Sequence, residues 1–204
     1  VKKRMLSIVL SGAMAVSTAV SAGSFSAFAV AQCVAYSGSN VNDQDYVQWS
    51  DTVKSYLTVC DNGNYMRVQS GAIEGKLLVE YYSSDFEPLS TKLIDNELPI
   101  FGAFYDSGNN YYVLSGQENP KQNDSLEVFR ITKYDKNWNK IKSCGLYGAN
   151  TTVPFDAGSA RMTHSGDHLL VRTCHEMYKS SDGNNHQANV TIEVDMPSMT
   201  ITDS

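Results

Sequence analysis

The chain has 204 residues, with 16 basic and 22 acidic side chains and a formal net charge of −6. That length suits one ordinary domain with a substantial core. The acidic balance argues against nucleic acid or an anionic membrane surface as partner.

The chain opens Val1-Lys2-Lys3-Arg4 and continues as an apolar run over residues 5–20. It then reaches two overlapping A-x-A sites, Ala27-Phe28-Ala29 and Ala29-Val30-Ala31. A basic start, an apolar stretch and a small-residue cleavage site predict a secretory signal peptide over residues 1–31. A membrane anchor is the competing reading. The strongly apolar part is shorter than the ~20 residues a span needs, and Ser and Gly dilute it. Gln32, not a small residue, precedes Cys33, which argues against a lipoprotein. Without Lys2, Lys3 and Arg4 the balance is 13 basic to 22 acidic residues, or −9. The expected location is outside the cell or at its surface. Residues 32–52 are rich in Ser, Asn, Asp and Gln and read as an exposed lead-in.

From residue 53 the pattern changes. Short segments rich in Val, Ile, Leu and Tyr recur between clusters of Gly, Asn, Asp and Ser. No stretch holds apolar residues at helical spacing over three turns. The strands predicted are 53–59, 65–68, 76–82, 89–93, 101–105, 111–115, 126–134, 140–146, 159–164, 168–174, 189–194 and 199–202. Turn words such as Asp61-Asn62-Gly63-Asn64 and Ser165-Gly166-Asp167 separate them. The chain is expected to be all-β.

Two words repeat. Tyr82 and Phe86 recur 52 positions later as Tyr134 and Trp138, with Val79 recurring as Ile131. A weaker third copy is Thr191-Ile192-Glu193-Val194-Asp195. Asp106-Ser107-Gly108-Asn109-Asn110-Tyr111-Tyr112-Val113 recurs 58 positions later as His164-Ser165-Gly166-Asp167-His168-Leu169-Leu170-Val171. The words alternate, so each unit holds four strands in roughly 50 residues, the signature of a propeller blade. Three four-stranded antiparallel blades are expected, at about 53–95, 99–147 and 156–203. A β-sandwich is the competing architecture. Propellers usually close with four or more blades, so an incomplete propeller, with further blades missing, is expected. On these words the exported part resembles secreted bacterial β-propeller repeat proteins built from Tyr-Asp-x-x-Trp-type blades. Ser180-Ser181-Asp182-Gly183 also resembles, in degenerate form, the Asp-box turn of sialidase-type propellers. Both resemblances imply fold and not activity.

Cys33, Cys60, Cys144 and Cys174 permit two disulfides, or remain as free thiols. The densest cluster of reactive side chains is Arg172, His175, Glu176, Tyr178 and His186, with Arg161 close in sequence. If residues 169–173 form an inner strand, residues 174–188 are the loop it feeds on one propeller face. A His/Tyr/Arg set there suits ligand binding, or proton abstraction beside a carboxylate as in a polysaccharide lyase. The same residues also suit ion pairing and loop capping. No compact metal-ligand spacing is present, Asp135-Lys136-Asn137-Trp138-Asn139 lacks the Gly and Glu that complete a calcium loop, and no motif implies a cofactor. Residues 150–161 and 119–124 suit ligand-facing loops beside His175. The function expected is a secreted or cell-surface propeller that binds a glycan or a protein. A carbohydrate-active enzyme using Arg172, His175, Tyr178 and His186 is the alternative.

Overall fold

The computed structural model describes residues 52–158 and 160–204. The expected signal peptide, and all of the lead-in but Thr52, lie outside the described residues. Every element among the described residues is a strand, and no helix among them is long and apolar enough to cross a membrane.

The first sheet holds β1 (Ser55–Val59), β2 (Tyr65–Ile73), β3 (Lys76–Tyr82) and β4 (Pro88–Asp95), in that order and antiparallel. The second holds β5 (Ile100–Asp106), β6 (Tyr111–Gly116), β7 (Glu127–Tyr134) and β8 (Lys140–Tyr147) in the same order. After β9 (Thr151–Pro154), the third sheet holds β10 (Arg161–Ser165), β11 (His168–Lys179), β12 (Asn185–Asp195) and β13 (Thr200–Asp203). Three four-stranded meanders in succession make this an all-β protein of propeller-type blades.

Period-2 alternation decides what each sheet buries. In β3, Leu77 and Val79 face the second sheet; in β11, Leu169 and Val171 face it from the other side. The second sheet lies between the other two and must bury both faces. All six residues of β6 are buried accordingly. Tyr111 and Val113 join the first seam with Met66, Val68, Leu77, Phe104 and Trp138. Tyr112 and Leu114 join the second seam with Phe129, Ile131, Leu169, Val171, Ile192 and Val194. Strands β6 and β11 lie one place in from the β5 and β10 edges, so their apolar runs are central strands of their sheets.

The repeated aromatic word is a hairpin turn. Phe86 and Trp138 both have φ of 63°, and Met199, at the corresponding place in the third sheet, has φ of 51°. The bonds match as well: Phe86 N–H donates to Ser83 O at 3.0 Å, and Trp138 N–H to Asp135 O at 3.0 Å. Asp135 Oδ1 accepts from the amides of Asn137 and Asn139, both at 2.8 Å, while Ser83 Oγ fills that role in the first sheet. Those amide and side-chain bonds from Asn139 hold the Asp135 carboxyl below the usual carboxylate range. A non-glycine residue with φ in this region costs on the order of 1–3 kcal/mol. Burying an indole offsets more than that, which is why Trp138 is tolerated there.

Candidate functional site

Residues 174–188 are not the loop expected from sequence. β11 runs on to Lys179 and β12 begins at Asn185, so only residues 180–184 turn. Polar side chains hid this extension, because a strand with few apolar residues shows no apolar alternation. Ser180 N–H donates to Asn184 O at 2.9 Å, Gly183 takes φ of 85°, and Asp182 Oδ1 accepts from Asn184 N–H at 3.0 Å.

The joining segment is likewise more ordered than a ligand-facing loop. β9 pairs with the far half of β11, placing His175 opposite Pro154 and Glu176 opposite Val153. Phe155 (φ 62°) turns into the second seam and is buried against Phe129, with ring centroids 5.4 Å apart. Two glycines make room for it. A Cβ on Gly102 would lie 2.4 Å from Phe155 Cζ, and one on Gly116 would lie 2.8 Å from Phe155 Cε2. Asn119 is buried. Its N–H donates to Thr152 O at 2.7 Å and its Nδ2 to Tyr178 Oη at 2.9 Å. The two loops expected beside His175 therefore do meet this hairpin, but as hydrogen-bonded packing.

Each residue singled out from sequence has its own local partner. His175 is 5% exposed, with Nδ1 2.6 Å from Thr151 Oγ1, and desolvation lowers its pKa. Glu176 Oε1 accepts from Thr152 Oγ1 at 2.6 Å. Burial, with Asp124 nearby, raises the Tyr178 phenol above its ordinary pKa. His186 Nε2 lies 2.8 Å from Asp182 Oδ2 on the exposed turn. Arg172 is exposed and donates to Thr191 Oγ1 at 2.7 Å rather than to a carboxylate; Asp156 instead accepts from Gln187 at 2.6 Å. Arg161 lies opposite Arg172 in register and donates to Ala160 O at 3.0 Å. Arg172 and His175 are three residues apart on one strand, so they face opposite sides of the sheet, as their exposed and buried states record. The structure brings His175, Glu176 and Tyr178 to β9 and its neighbours; it does not bring Arg172 or His186 to His175.

Among the described residues no group of three His, Cys, Asp or Glu side chains is placed to hold a metal ion. Cys60, Cys144 and Cys174 are free thiols, and Cys33 lies outside the described residues.

A different place collects unsatisfied polar chemistry. At the end of the second seam nearest the β5–β6 turn lies a cleft of about 310 Å³. Ser107, Asn109 and Asn110 form one wall, Tyr112 and Lys133 line it from the second sheet, and His164, Gly166 and Asp167 come from the third. Tyr112 is 0% exposed, and its hydroxyl has no hydrogen-bond partner among the described residues. Burial, with the Asp167 carboxylate adding, pushes its pKa up to about 12. Lys133 Nζ lies 5.9 Å from the Tyr112 ring centroid and donates to Met196 O at 2.9 Å. His164 Nδ1 is 2.7 Å from Tyr105 Oη. The turn residues of the cleft belong to the repeated word Asp-Ser-Gly-Asn-Asn and its copy His-Ser-Gly-Asp. As sequence the word reads as turn punctuation; its recurrence in adjacent units was the signal that the two turns would face each other.

The first seam has a matching cleft of about 290 Å³, lined by Cys60, Asp61, Asn62, Asn64, Tyr81, Tyr111 and Lys136. Here the cation pairs with a carboxylate: Lys136 Nζ lies 2.7 Å from Asp106 Oδ1 and 4.4 Å from the Tyr111 ring centroid.

Fold and cleft together define an all-β protein with propeller-type blades and polar openings at the seams between them. No family model and no curated protein matches the chain. Among solved structures it is similar to a GH43 β-1,3-galactosidase with galactodeoxynojirimycin (12% identity, TM-score 0.39, 74% of this chain and 44% of that one). It is also similar to a mutant Synechocystis apocarotenoid oxygenase (11% identity, TM-score 0.46, 74% and 37%). A third is Drosophila Plexin A in complex with Semaphorin 1b (11% identity, TM-score 0.34, 77% and 44%). The chain thus spans less than half the length of each of these structures. The fold class rests on the three sheets and their repeat.

Proposed function

We propose that this is a secreted or cell-surface binding protein that holds a hydroxyl-rich ligand, a glycan, in the cleft between the second and third sheets. The observation that carries the reading is a polar cleft whose wall includes Tyr112, the buried hydroxyl of which has no hydrogen-bond partner among the described residues. Leaving a buried hydroxyl unpaired costs about 1–3 kcal/mol, and a ligand hydroxyl that reaches it as the cleft wall shifts removes that cost. Around it stand amides that both donate and accept, a carboxylate that accepts and an ammonium that donates. A sugar presents the same mixture. The volume is at the lower end for ligand pockets, which suits one or two sugar units rather than a long buried chain. The separation of Arg172 from His175 argues for binding over lyase chemistry at the β11–β12 hairpin, since those groups share no pocket. A secretory start followed by an acidic chain supports the extracellular location.

The test is a glycan array followed by calorimetry on the best oligosaccharide. Tyr112→Phe and Asp167→Asn are expected to weaken binding at least ten-fold, and His175→Gln to leave it unchanged. Binding that survives Tyr112→Phe but fails in His175→Gln would move the site to the hairpin. An array with no hits would end the glycan reading.

A further inference from the structure

The two clefts share a wall. They open at the same end of the sheets, one at each seam, and the β5–β6 turn stands between them. Ser107, Asn109 and Asn110 of that turn line the second-seam cleft. Asp106, at its start, pairs with Lys136, which lines the first-seam cleft. Directly after the turn, Tyr111 lines the first cleft and Tyr112 the second. Consecutive residues of a strand point to opposite faces, so one strand supplies a tyrosine to each. The volumes are close, about 290 and 310 Å³.

The repeat explains the pairing. One wall of each cleft is a hairpin turn of the earlier sheet: the β1–β2 turn, through Asp61, Asn62 and Asn64, in the first and the β5–β6 turn in the second. Tyr81 lies opposite Met66 on the first sheet as Lys133 lies opposite Tyr112 on the second. The clefts are therefore equivalent places in successive units, with one telling difference. Where the second offers an ammonium, the first offers the partly exposed ring of Tyr81. A ring beside amides and a carboxylate suits both surfaces of a sugar unit, its C–H face and its hydroxyl edge. The turn between the clefts is fixed by its own bonds. Ser107 N–H donates to Asn110 O at 3.0 Å, and Asp106 Oδ1 accepts from Gly108 N–H at 2.8 Å.

We propose that the first-seam cleft is a second subsite, and that the ligand is an oligosaccharide crossing the β5–β6 turn with one end in each cleft. This rests on the glycan reading of the second-seam cleft and goes past it, fixing the ligand as a chain rather than a single unit. Packed sheets stand ~10 Å apart, so neighbouring openings are within reach of a short oligosaccharide. Each cleft then holds one or two units, and the turn carries the units between. A chain held in one cleft meets the other at high effective concentration, and linked contacts of this kind strengthen binding by roughly 10²–10⁴-fold.

The test compares, by calorimetry on the whole chain, disaccharides with hexasaccharides of β-1,3-glucan, β-1,4-glucan, chitin and homogalacturonan. Within the series that binds, the hexasaccharide is expected to bind about 100-fold tighter than the disaccharide. Asp61 is exposed and Asn64 partly exposed on an open turn, so Asp61→Ala and Asn64→Ala leave the sheets intact. Together they are expected to remove most of that gain, while Tyr112→Phe still weakens binding of both sugars. Cys60 gives a local readout, since its free thiol lines the first cleft. Its alkylation by N-ethylmaleimide, followed by mass spectrometry, is expected to slow with the hexasaccharide, while that of Cys174 is unchanged. Equal affinity for the two lengths, with Cys60 alkylated at one rate throughout, would overturn this inference and leave the single-cleft reading standing. No binding by any of these sugars would count against the glycan reading itself, and this inference would fall with it.

Discussion

The two seams of this molecule are built from the same repeat and closed differently. The first seam is filled by rings. Trp138 meets Tyr111 at 4.9 Å, Tyr134 at 5.5 Å and Phe104 at 5.7 Å, and its polar opening is neutralised by the Lys136–Asp106 pair. Among the described residues the second seam has no such cluster. It is filled from outside its sheets, by Phe155 of the joining segment, and its opening keeps an unpartnered Tyr112 hydroxyl. Repetition supplies the frame, and the side chains inserted between frames decide whether a seam is a core or a cleft.

The comparison can be broken most severely at Trp138. Trp138→Ala removes the centre of the first seam and is expected to cost about 3–5 kcal/mol, read as a fall in the urea midpoint. Phe86→Ala at the equivalent turn position, exposed and stacked on Tyr65 at 4.4 Å, is expected to cost about 1 kcal/mol or less. Equal losses would mean that the turn, not the seam, uses the aromatic. The second seam is broken by Gly102→Ala, whose methyl would overlap Phe155. Overpacking of this kind costs about 1–3 kcal/mol, and Phe155→Leu in the same chain is expected to restore part of it; no coupling in that double-mutant cycle would show that Phe155 does not fill the seam.

Smaller effects sharpen the contrast. Tyr112→Phe removes a buried hydroxyl that lacks a partner, so the unliganded protein is expected to gain on the order of 1 kcal/mol in thermal or chemical unfolding. A loss of that size would reveal a partner for the hydroxyl. The smallest effect concerns acid. Burial depresses the His175 pKa below its ordinary 6.5, so the unfolded chain takes up a proton before the folded one. Stability is therefore full above about pH 6.5 and falls as pH drops through the depressed folded value. His175→Gln is expected to flatten that part of the pH–stability curve, and an unchanged slope would place the titration elsewhere.

The sheets were legible because a meander writes itself twice, once in period-2 alternation and once in its turns. Leu77, Val79, Tyr111, Val113, Leu169 and Val171 announce their strands as apolar words, and Gly63, Gly108, Gly166 and Gly183 mark the corners. β9 was not legible: four residues ending in Pro154 carry too little pattern to separate strand from loop. Nor was the far half of the β11–β12 hairpin, where Cys174, His175 and Glu176 face Asn189, Ala188 and Gln187. Nearness in sequence suggested a site from Arg172 to His186. On a strand an odd separation sends two side chains to opposite faces, so the spacing of Arg172 and His175 already argued against a shared pocket once the segment was a strand. The cleft went unread because its residues come from turns, where Asn, Asp and Ser have a local reason to occur whether or not they also face a ligand.

One feature has consequences beyond packing. The edge of β11 is paired by two strands laid end to end: β10 over His168–Arg172 and β9 over His175–Met177, with the chain leaving the sheet between them. An edge divided in this way holds two separable zones of cooperativity. The His168–Arg172 zone shares its fate with the third sheet. The His175–Met177 zone is paired with β12 on one side, but on its β9 side it is held by a segment anchored through Asn119 to the second sheet, so that side opens when the sheets part, even if the third sheet stays folded. Amide exchange along a single strand would then report two different events, the unfolding of one blade and the slippage of one blade against the next.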